Sequence, residues 1–258
     1  MIKDIGVQTF TVRKAQKKSI RGAYEPLIDL GIKNYEIARI DFDEKNANEI
    51  RALKEEYEIE VSAIQVKPKY VFGAVDKIAR FCEITGCRNV VISMLPFECI
   101  LGAENKFYSF ISTLDEQYGV YEKLGLTLAY HHHNWEYVTL SGKKTRMDEL
   151  ISNTERIKFV HDTYWTAKSG IDPVRQITAF GDRLLGVHLR DLCVYKKGLD
   201  APTRNCAIGE GGLDFARITS AAISAGCEYM VIEQKTSNPY EDIQKSYRNI
   251  HTSMEGII

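Results

Sequence analysis

Leu128-Ala129-Tyr130-His131-His132-His133-Asn134-Trp135-Glu136-Tyr137 passes from apolar residues into three histidines and then a carboxylate. Residues 127–130 read as a buried strand, and a buried strand that ends in imidazoles puts polar chemistry at its tip. The run lies mid-chain inside a patterned segment, so it is not a purification tag. Ahead of it, residues 105–124 read as one long helix closing on Gly125; behind it, residues 146–153 read as a short helix. This strand between helices is one unit of a pattern that fills the chain.

Upstream, strands are expected at 5–10, 35–38, 61–66 and 89–94, with helices at 19–30, 43–57 and 74–85. Gly31, Gly86 and Gly125 follow helical segments, where glycine takes the left-handed conformation that stops a helix. Downstream, strands at 157–162, 184–191 and 229–233 alternate with helices at 173–180, 213–225 and 242–254. Pro173 opens its helix, where the missing N–H does no harm. Apolar strands alternating with amphipathic helices imply a parallel sheet covered by helices. Eight such units without a linker predict an α/β fold, a single (β/α)8 TIM barrel over residues 1–258. The alternative, a doubly wound open sheet, lacks its Gly-rich phosphate turn, since Gly209-Glu210-Gly211-Gly212 does not directly follow a strand.

Composition narrows the function classes. Lys and Arg total 34 against 35 Asp and Glu, a net charge of -1, so neither a nucleic acid nor a membrane is expected as partner. The six cysteines are scattered without a C-x-x-C, as reduced thiols of a cytoplasmic protein would be. No signal-peptide pattern opens the chain, and no apolar run approaches the ~20 residues of a membrane helix. A homo-oligomer is compatible with the sequence.

In such a barrel, chemistry occupies the C-terminal ends of the strands. Those ends hold Gln8, Glu36, Lys67, His131, His133, Asp162, His188, Asp191 and Glu233. His131, Asp162, His188 and Glu233 come from four consecutive strands, five to eight. Singly, each has a plain reading: a buried histidine is often a core residue, and a strand-end Asp often caps the next helix. Together they predict a divalent-cation site of mixed N/O ligation, for Mn²⁺, Co²⁺, Zn²⁺, Fe²⁺ or Mg²⁺. Strand alternation puts His131 and His133 on one face and His132 on the other, so His132 is structural. Asp162 is taken to face inward, which turns His161 outward.

These residues carry a family resemblance that runs nearly end to end. Tyr130-His131-His132-His133 with Glu136 resembles the Y-H-N-H-x-x-E motif of the xylose isomerase-like TIM barrels, in particular the sugar phosphate isomerases/epimerases. Asp162-Thr163-Tyr164-Trp165 with Gly170-Ile171-Asp172-Pro173 resembles D-x-Y-W…G-x-D-P, and Val187-His188-Leu189-Arg190-Asp191 resembles V-H-L-K-D with Arg190 for Lys. Ile208-Gly209-Glu210-Gly211 resembles V-G-E-G, and Val231-Ile232-Glu233-Gln234 resembles V-x-E-Q. The resemblance implies metal ligands at His131, Asp162, His188 and Glu233. In the sugar epimerases of the family two metal-bound glutamates act as paired bases; here His131 stands at one of those positions and only Glu233 remains. Trp165 replaces a histidine of the endonuclease branch, which argues against DNA repair. The histidine strand also resembles inosose dehydratase-like members.

The expected enzyme is a metal-dependent isomerase or epimerase of a sugar or keto-sugar, working through an enediolate. Glu233 or Glu210 would be the base and His133 a proton shuttle. Glu36, Lys67, Trp165, Arg190 and Gln8 are candidate substrate contacts, with a rim salt bridge as the plain reading of Glu36 and Lys67. Glu136 is either a partner of a ligand or a substitute ligand for His131. A dehydratase or lyase on a keto-inositol or 3-keto-glycoside, and a non-catalytic sugar-binding barrel, are the alternatives. The loops at 134–145 and 192–212 are candidates for subunit contacts or a lid, the second favoured as lid because it carries Glu210.

Overall fold

The computed structural model describes residues 4–193 and 204–255. The strands are β1 Ile5–Gln8, β2 Asn34–Ala38, β3 Glu60–Val66, β4 Asn89–Ile92, β5 Thr127–His131, β6 Lys158–Asp162, β7 Leu184–Leu189, β8 Asp191–Cys193, β9 Arg204–Cys206 and β10 Tyr229–Ile232. Eight of them close into a barrel in the order β1-β10-β7-β6-β5-β4-β3-β2, every pair parallel; β8 and β9 form a separate antiparallel ribbon.

The strands are buried on both faces, which is why they read as unbroken apolar runs. Inside the barrel, Ala63, Val91, Ala129, Val160, Leu185, Tyr229 and Val231 form a compact core of their own. Their sequence neighbours, such as Val90, Ile92, Leu128, Tyr130 and Phe159, point outward and pack beneath the helices. The interior is filled rather than hollow, as expected for eight strands. Gly186 makes one part of it possible: a Cβ there would lie 2.4 Å from the ring of Tyr229. The missing side chain lets the tyrosine lie across the barrel axis, where its hydroxyl reaches Glu36.

Several boundaries differ from the sequence reading, each for a local reason. The first strand ends at Gln8, not at 10, because the Gln8 side chain captures the N–H of Phe10 and turns the chain into the helix Arg13–Gln16. The expected helix at 105–124 is two, Glu104–Ile111 and Leu114–Glu122. At the break, the hydroxyls of Ser112 and Thr113 donate to the carbonyls of Ser109 and Phe110, competing with the helical ladder. Strand seven stops at Leu189. The segment read as loop at 192–212 contains β9 and completes β8, while 194–203 lie outside the described residues. No helix among the described residues is long and apolar enough to cross a membrane.

Candidate metal centre

Register across the barrel wall brings the cluster together. Asp162 on β6 pairs with His188 on β7, His188 with Val231 on β10, and His131 on β5 with Val160 on β6. Glu233 is the first residue past β10, its N–H still donating to Leu189. His131, Asp162, His188 and Glu233 are all buried, and each offers a ligand atom within 4.8 Å of the others. A cation with ligands at about 2.0–2.2 Å needs spacings of roughly 3–4 Å between cis donors. His131 Nε2 lies 3.5 Å from Asp162 Oδ2, and His188 Nδ1 lies 3.9 Å from that oxygen and 2.9 Å from Glu233 Oε2.

Each histidine is oriented by its other nitrogen. His131 Nδ1 lies 3.2 Å from the carbonyl of Ser93, so a proton there leaves the Nε2 lone pair facing the cluster. His188 Nε2 lies 3.0 and 2.9 Å from the two oxygens of Glu36, and Tyr229 donates to the same carboxylate at 2.8 Å. The facing atoms, His131 Nε2 and His188 Nδ1, are buried and have no hydrogen-bond partner. The short contact from His188 Nδ1 to Glu233 is not aligned as a hydrogen bond. Buried nitrogens aimed at two carboxylates, each fixed from behind by an acceptor, have the arrangement a metal site requires. The buried cluster could therefore bind a metal.

Asp162 does two things at once. Its Oδ1 accepts the N–H of Trp165 at 3.0 Å, capping the helix Thr163–Lys168, while Oδ2 faces the cluster. The plain reading and the functional one thus hold for different oxygens of one carboxylate. Arg190, also buried, donates to Asp162 Oδ2 at 2.8 Å and lies 3.2 Å from Glu233 Oε1. Burial alone would raise the pKa of both carboxylates. Arg190 and the cluster histidines outweigh it, holding Asp162 well below the carboxylate range and Glu233 down to about 2. Burial likewise opposes charge on His188, but Glu36 and Glu233 push its pKa up to about 10. A cation must therefore displace a proton from this ring.

The cluster meets a cleft of about 2100 Å³ at the C-terminal end of the barrel through His131 and Glu233, with Asp162 and His188 fully buried behind them. His131, His133, Trp165, Arg190, Lys67, Glu210 and Glu233 line it. Glu36 and Gln8 do not: both were expected to contact substrate and both are fully buried. The oxygens of Glu36 are taken by His188 and Tyr229, so Glu36 positions the His188 ring; Gln8 donates to Gln65 at 3.1 Å and holds the Phe10 turn. Glu210 is exposed at the margin and paired with Lys245 at 2.6 Å, away from the buried ligands. Glu136 lies outside the four-residue cluster; it accepts from the Tyr130 hydroxyl and, at 2.8 Å, from the N–H of His133. His133 sits between Trp135 and Trp165, and burial, aided by His131, lowers its pKa to about 3.

His132 and His161 face away from the cluster and meet each other, His132 Nε2 lying 3.1 Å from His161 Nδ1. His132 Nε2 also accepts the N–H of Asp162 at 3.1 Å, which assigns its proton to Nδ1. Burial keeps both rings neutral. One strand-end residue named in the sequence was given no role there. Asp191 accepts the N–H groups of Leu192, Gly209 and Gly211, fixing the turn that carries Glu210. A Cβ on Gly211 would strike that carboxylate at 2.2 Å, so the pairing of Asp191 with a glycine-flanked Glu210 was the available signal.

The profile of the xylose isomerase-like TIM barrels matches residues 25–252. The chain belongs to this family. An inosose dehydratase of Geobacillus kaustophilus (strain HTA426) is 24% identical over 195 residues, covering 70% of this chain and 63% of the relative. The chain thus spans less than two thirds of the length of that relative. Among solved structures, a sugar phosphate isomerase/epimerase from Parabacteroides distasonis ATCC 8503 superimposes with a TM-score of 0.76 at 17% identity, covering 96% of this chain and 93% of that one. The IolI protein with a bound zinc atom gives a TM-score of 0.70 at 14% identity, covering 99% of both chains. At these identities the structural likeness is one of fold.

Proposed function

We propose that the protein is a divalent-metal-dependent isomerase or epimerase that moves a proton next to the carbonyl of a sugar or keto-sugar. One observation carries the reading: a buried four-residue cluster, with two imidazole nitrogens lacking any hydrogen-bond partner, opens through His131 and Glu233 onto a cleft at the C-terminal end of the barrel. A divalent cation held by His131, Asp162, His188 and Glu233 would supply Lewis acidity, lowering the pKa of the carbon acid and favouring the enediolate. Mixed imidazole and carboxylate ligation suits Mn²⁺, Co²⁺, Zn²⁺ or Fe²⁺.

The chain's own residues do the rest. Glu233 is the cluster carboxylate that lines the cleft, and it takes the proton. Arg190 holds that carboxylate in place at 3.2 Å. His133 stays neutral at physiological pH and relays or donates a hydrogen bond to a substrate hydroxyl. The walls of Trp135 and Trp165 exclude water from one face of the sugar.

A second reading, elimination of water from a keto-inositol or related keto-sugar, rests on the likeness to inosose dehydratase and on the single cleft-facing carboxylate of the cluster. It shares the first proton abstraction. NMR-detected exchange of substrate protons in D₂O, on ketohexoses, keto-inositols and 3-keto-glycosides with Mn²⁺ or Co²⁺, tests both. Exchange with a new diastereomer or isomer supports the first, loss of water the second. Neither on any substrate sinks the enediolate chemistry.

A further inference from the structure

Formal charge is nearly balanced over the whole chain, but not in the cleft, where eleven Lys and Arg residues face five carboxylates. Two of the cations stand out because the fold collects them and leaves them unneutralised. The guanidinium of Arg13 lies 4.0 Å from the ring centre of Phe10, and that of Arg39 lies 5.3 Å from the same ring. Arg13 also donates to the carbonyl of Phe10 at 2.8 Å. Among the described residues neither arginine forms an ion pair. Two like charges drawn to one aromatic ring repel each other, and an anion bound to both would offset that repulsion.

The backbone holds the pair in this arrangement. Arg39 follows β2 with φ of 63°, a left-handed conformation that favours glycine. Ala38, the residue before it, is pinned by buried bonds. Its N–H donates to the Thr9 hydroxyl at 2.9 Å, and its carbonyl accepts from Thr9 at 3.1 Å and from Gln16 Nε2 at 2.7 Å. Gln16 is fixed in turn by the Tyr24 hydroxyl at 2.7 Å. The left-handed backbone at Arg39, next to a residue held by three buried bonds, therefore fixes the direction from which its side chain starts. Arg13 is half-buried on the facing turn. Its pKa is lowered by burial and by Arg39 and pulled back by Glu233, so its charge interacts with both the rim and the cluster.

We infer that Arg13 and Arg39, across the ring of Phe10, form a subsite for an anionic substituent, a carboxylate or a phosphate ester, on the substrate. Two guanidinium forks with free donors bind such a group through paired, charge-assisted hydrogen bonds. The inference rests on reading the cleft as a keto-sugar site and adds that the sugar is charged at the end remote from its carbonyl. Lys67, exposed on the same cleft wall, adds to the field.

The test is a titration of the full chain with D-fructose, D-fructose 6-phosphate and D-fructuronate at one ionic strength. Fluorescence of Trp135 and Trp165, the two tryptophans of the chain, both in the cleft wall, reports binding. At least one charged ligand should bind about tenfold or more tighter than D-fructose, and the tighter one names the group. Arg39→Gly, which suits the left-handed backbone and keeps the fold, and Arg13→Gln should each bring the ratio towards one. Equal affinities in the wild type, or a preference that survives both substitutions, would overturn the subsite. Binding needs no turnover, so the two readings separate. A charge preference without proton exchange leaves the subsite and removes the enediolate chemistry; exchange without a preference does the reverse.

Discussion

Glu36 meets His188 with both carboxylate oxygens, at 3.0 and 2.9 Å from Nε2, although β2 and β7 are separated in the barrel wall by β1 and β10. The pair runs through the barrel interior and turns Nδ1 of His188 toward Asp162 and Glu233. Partners of this kind fix ring orientation and raise ligand basicity, and their loss typically costs 10–100-fold in metal affinity. Glu36→Gln keeps the shape and removes the charge. Its apparent Kd for Zn²⁺ or Mn²⁺ should rise by about that factor, ~10–100, at pH 7. Calorimetric titration of the EDTA-stripped variant checks this; an unchanged Kd would mean that Glu36 does not tune the site.

The same ring predicts a pH dependence. In metal-free protein the pKa of His188 is pushed up to about 10 from an ordinary 6.5. Its contribution to stability is thus fully present below about 6.5 and is lost as pH rises through about 10. Thermal melts of EDTA-treated protein should show a falling midpoint across that window. Glu233, held down to about 2, contributes in the opposite sense, with stability present above its unfolded value and lost only as pH falls through about 2. Metal binding reverses the alkaline trend: because the cation displaces the His188 proton, affinity should rise up to about tenfold per pH unit below the folded pKa. A stripped protein whose midpoint climbs between pH 7 and 9.5 would contradict the assignment.

Asp162 combines a helix cap on Oδ1 with a cluster oxygen on Oδ2, so its two roles can be separated. Asn caps as well as Asp but carries no charge. Asp162→Asn should lose bound metal, by elemental analysis after dialysis, while its helix remains capped. Asp162→Ala loses the cap, worth about 1 kcal/mol. It also strips Arg190 of its shortest partner, and breaking a buried pair costs roughly 3–5 kcal/mol. Urea unfolding should therefore place Ala well below Asn in stability, with metal absent from both.

Adjacent histidines should behave oppositely. His131→Ala removes a ligand nitrogen and should abolish stoichiometric metal binding. His132→Ala leaves the four ligands untouched but removes the acceptor for the Asp162 N–H and the contact to His161. An unsatisfied buried donor costs about 1–3 kcal/mol, so this variant should bind metal and melt lower. Metal content and melting temperature, measured together, distinguish the two; loss of metal in His132→Ala at unchanged stability would reverse the facing of the strand.

The alternation that separates these histidines is a local property, which is why it could be read from sequence. So could the barrel itself, because strands buried on both faces leave apolar runs and helices leave glycines at their ends. What could not be read is set across the barrel. Glu36 closes its strand just as a substrate contact would, and only the closure of the barrel, which leaves β2 separated from β7 by β1 and β10, shows it lying behind His188. Gln8 is likewise spent on Gln65 and its own turn. The Arg13 and Arg39 pair was not legible because the two residues lie 26 positions apart and Arg13 belongs to no strand end. Their juxtaposition depends on the turn after β1 and the left-handed residue after β2.

Gly186 offers a test that joins the interior to the site. The ring of Tyr229 occupies the space where a Cβ at 186 would stand, 2.4 Å from the nearest ring atom, and strand backbone on both sides restricts retreat. Gly186→Ala must displace the tyrosine, and overpacking of this kind costs about 1–3 kcal/mol. The tyrosine hydroxyl is also a donor to Glu36, so its displacement loosens the carboxylate that aims His188. The expected outcome is a lower melting temperature together with weaker metal binding, from a residue that touches no ligand. Tyr229→Phe separates the contributions: it keeps the packing, leaves Glu36 with His188 alone, and should weaken the metal without the loss of stability caused by the clash. If Gly186→Ala melts lower but binds metal with wild-type affinity, the barrel interior and the centre are mechanically independent.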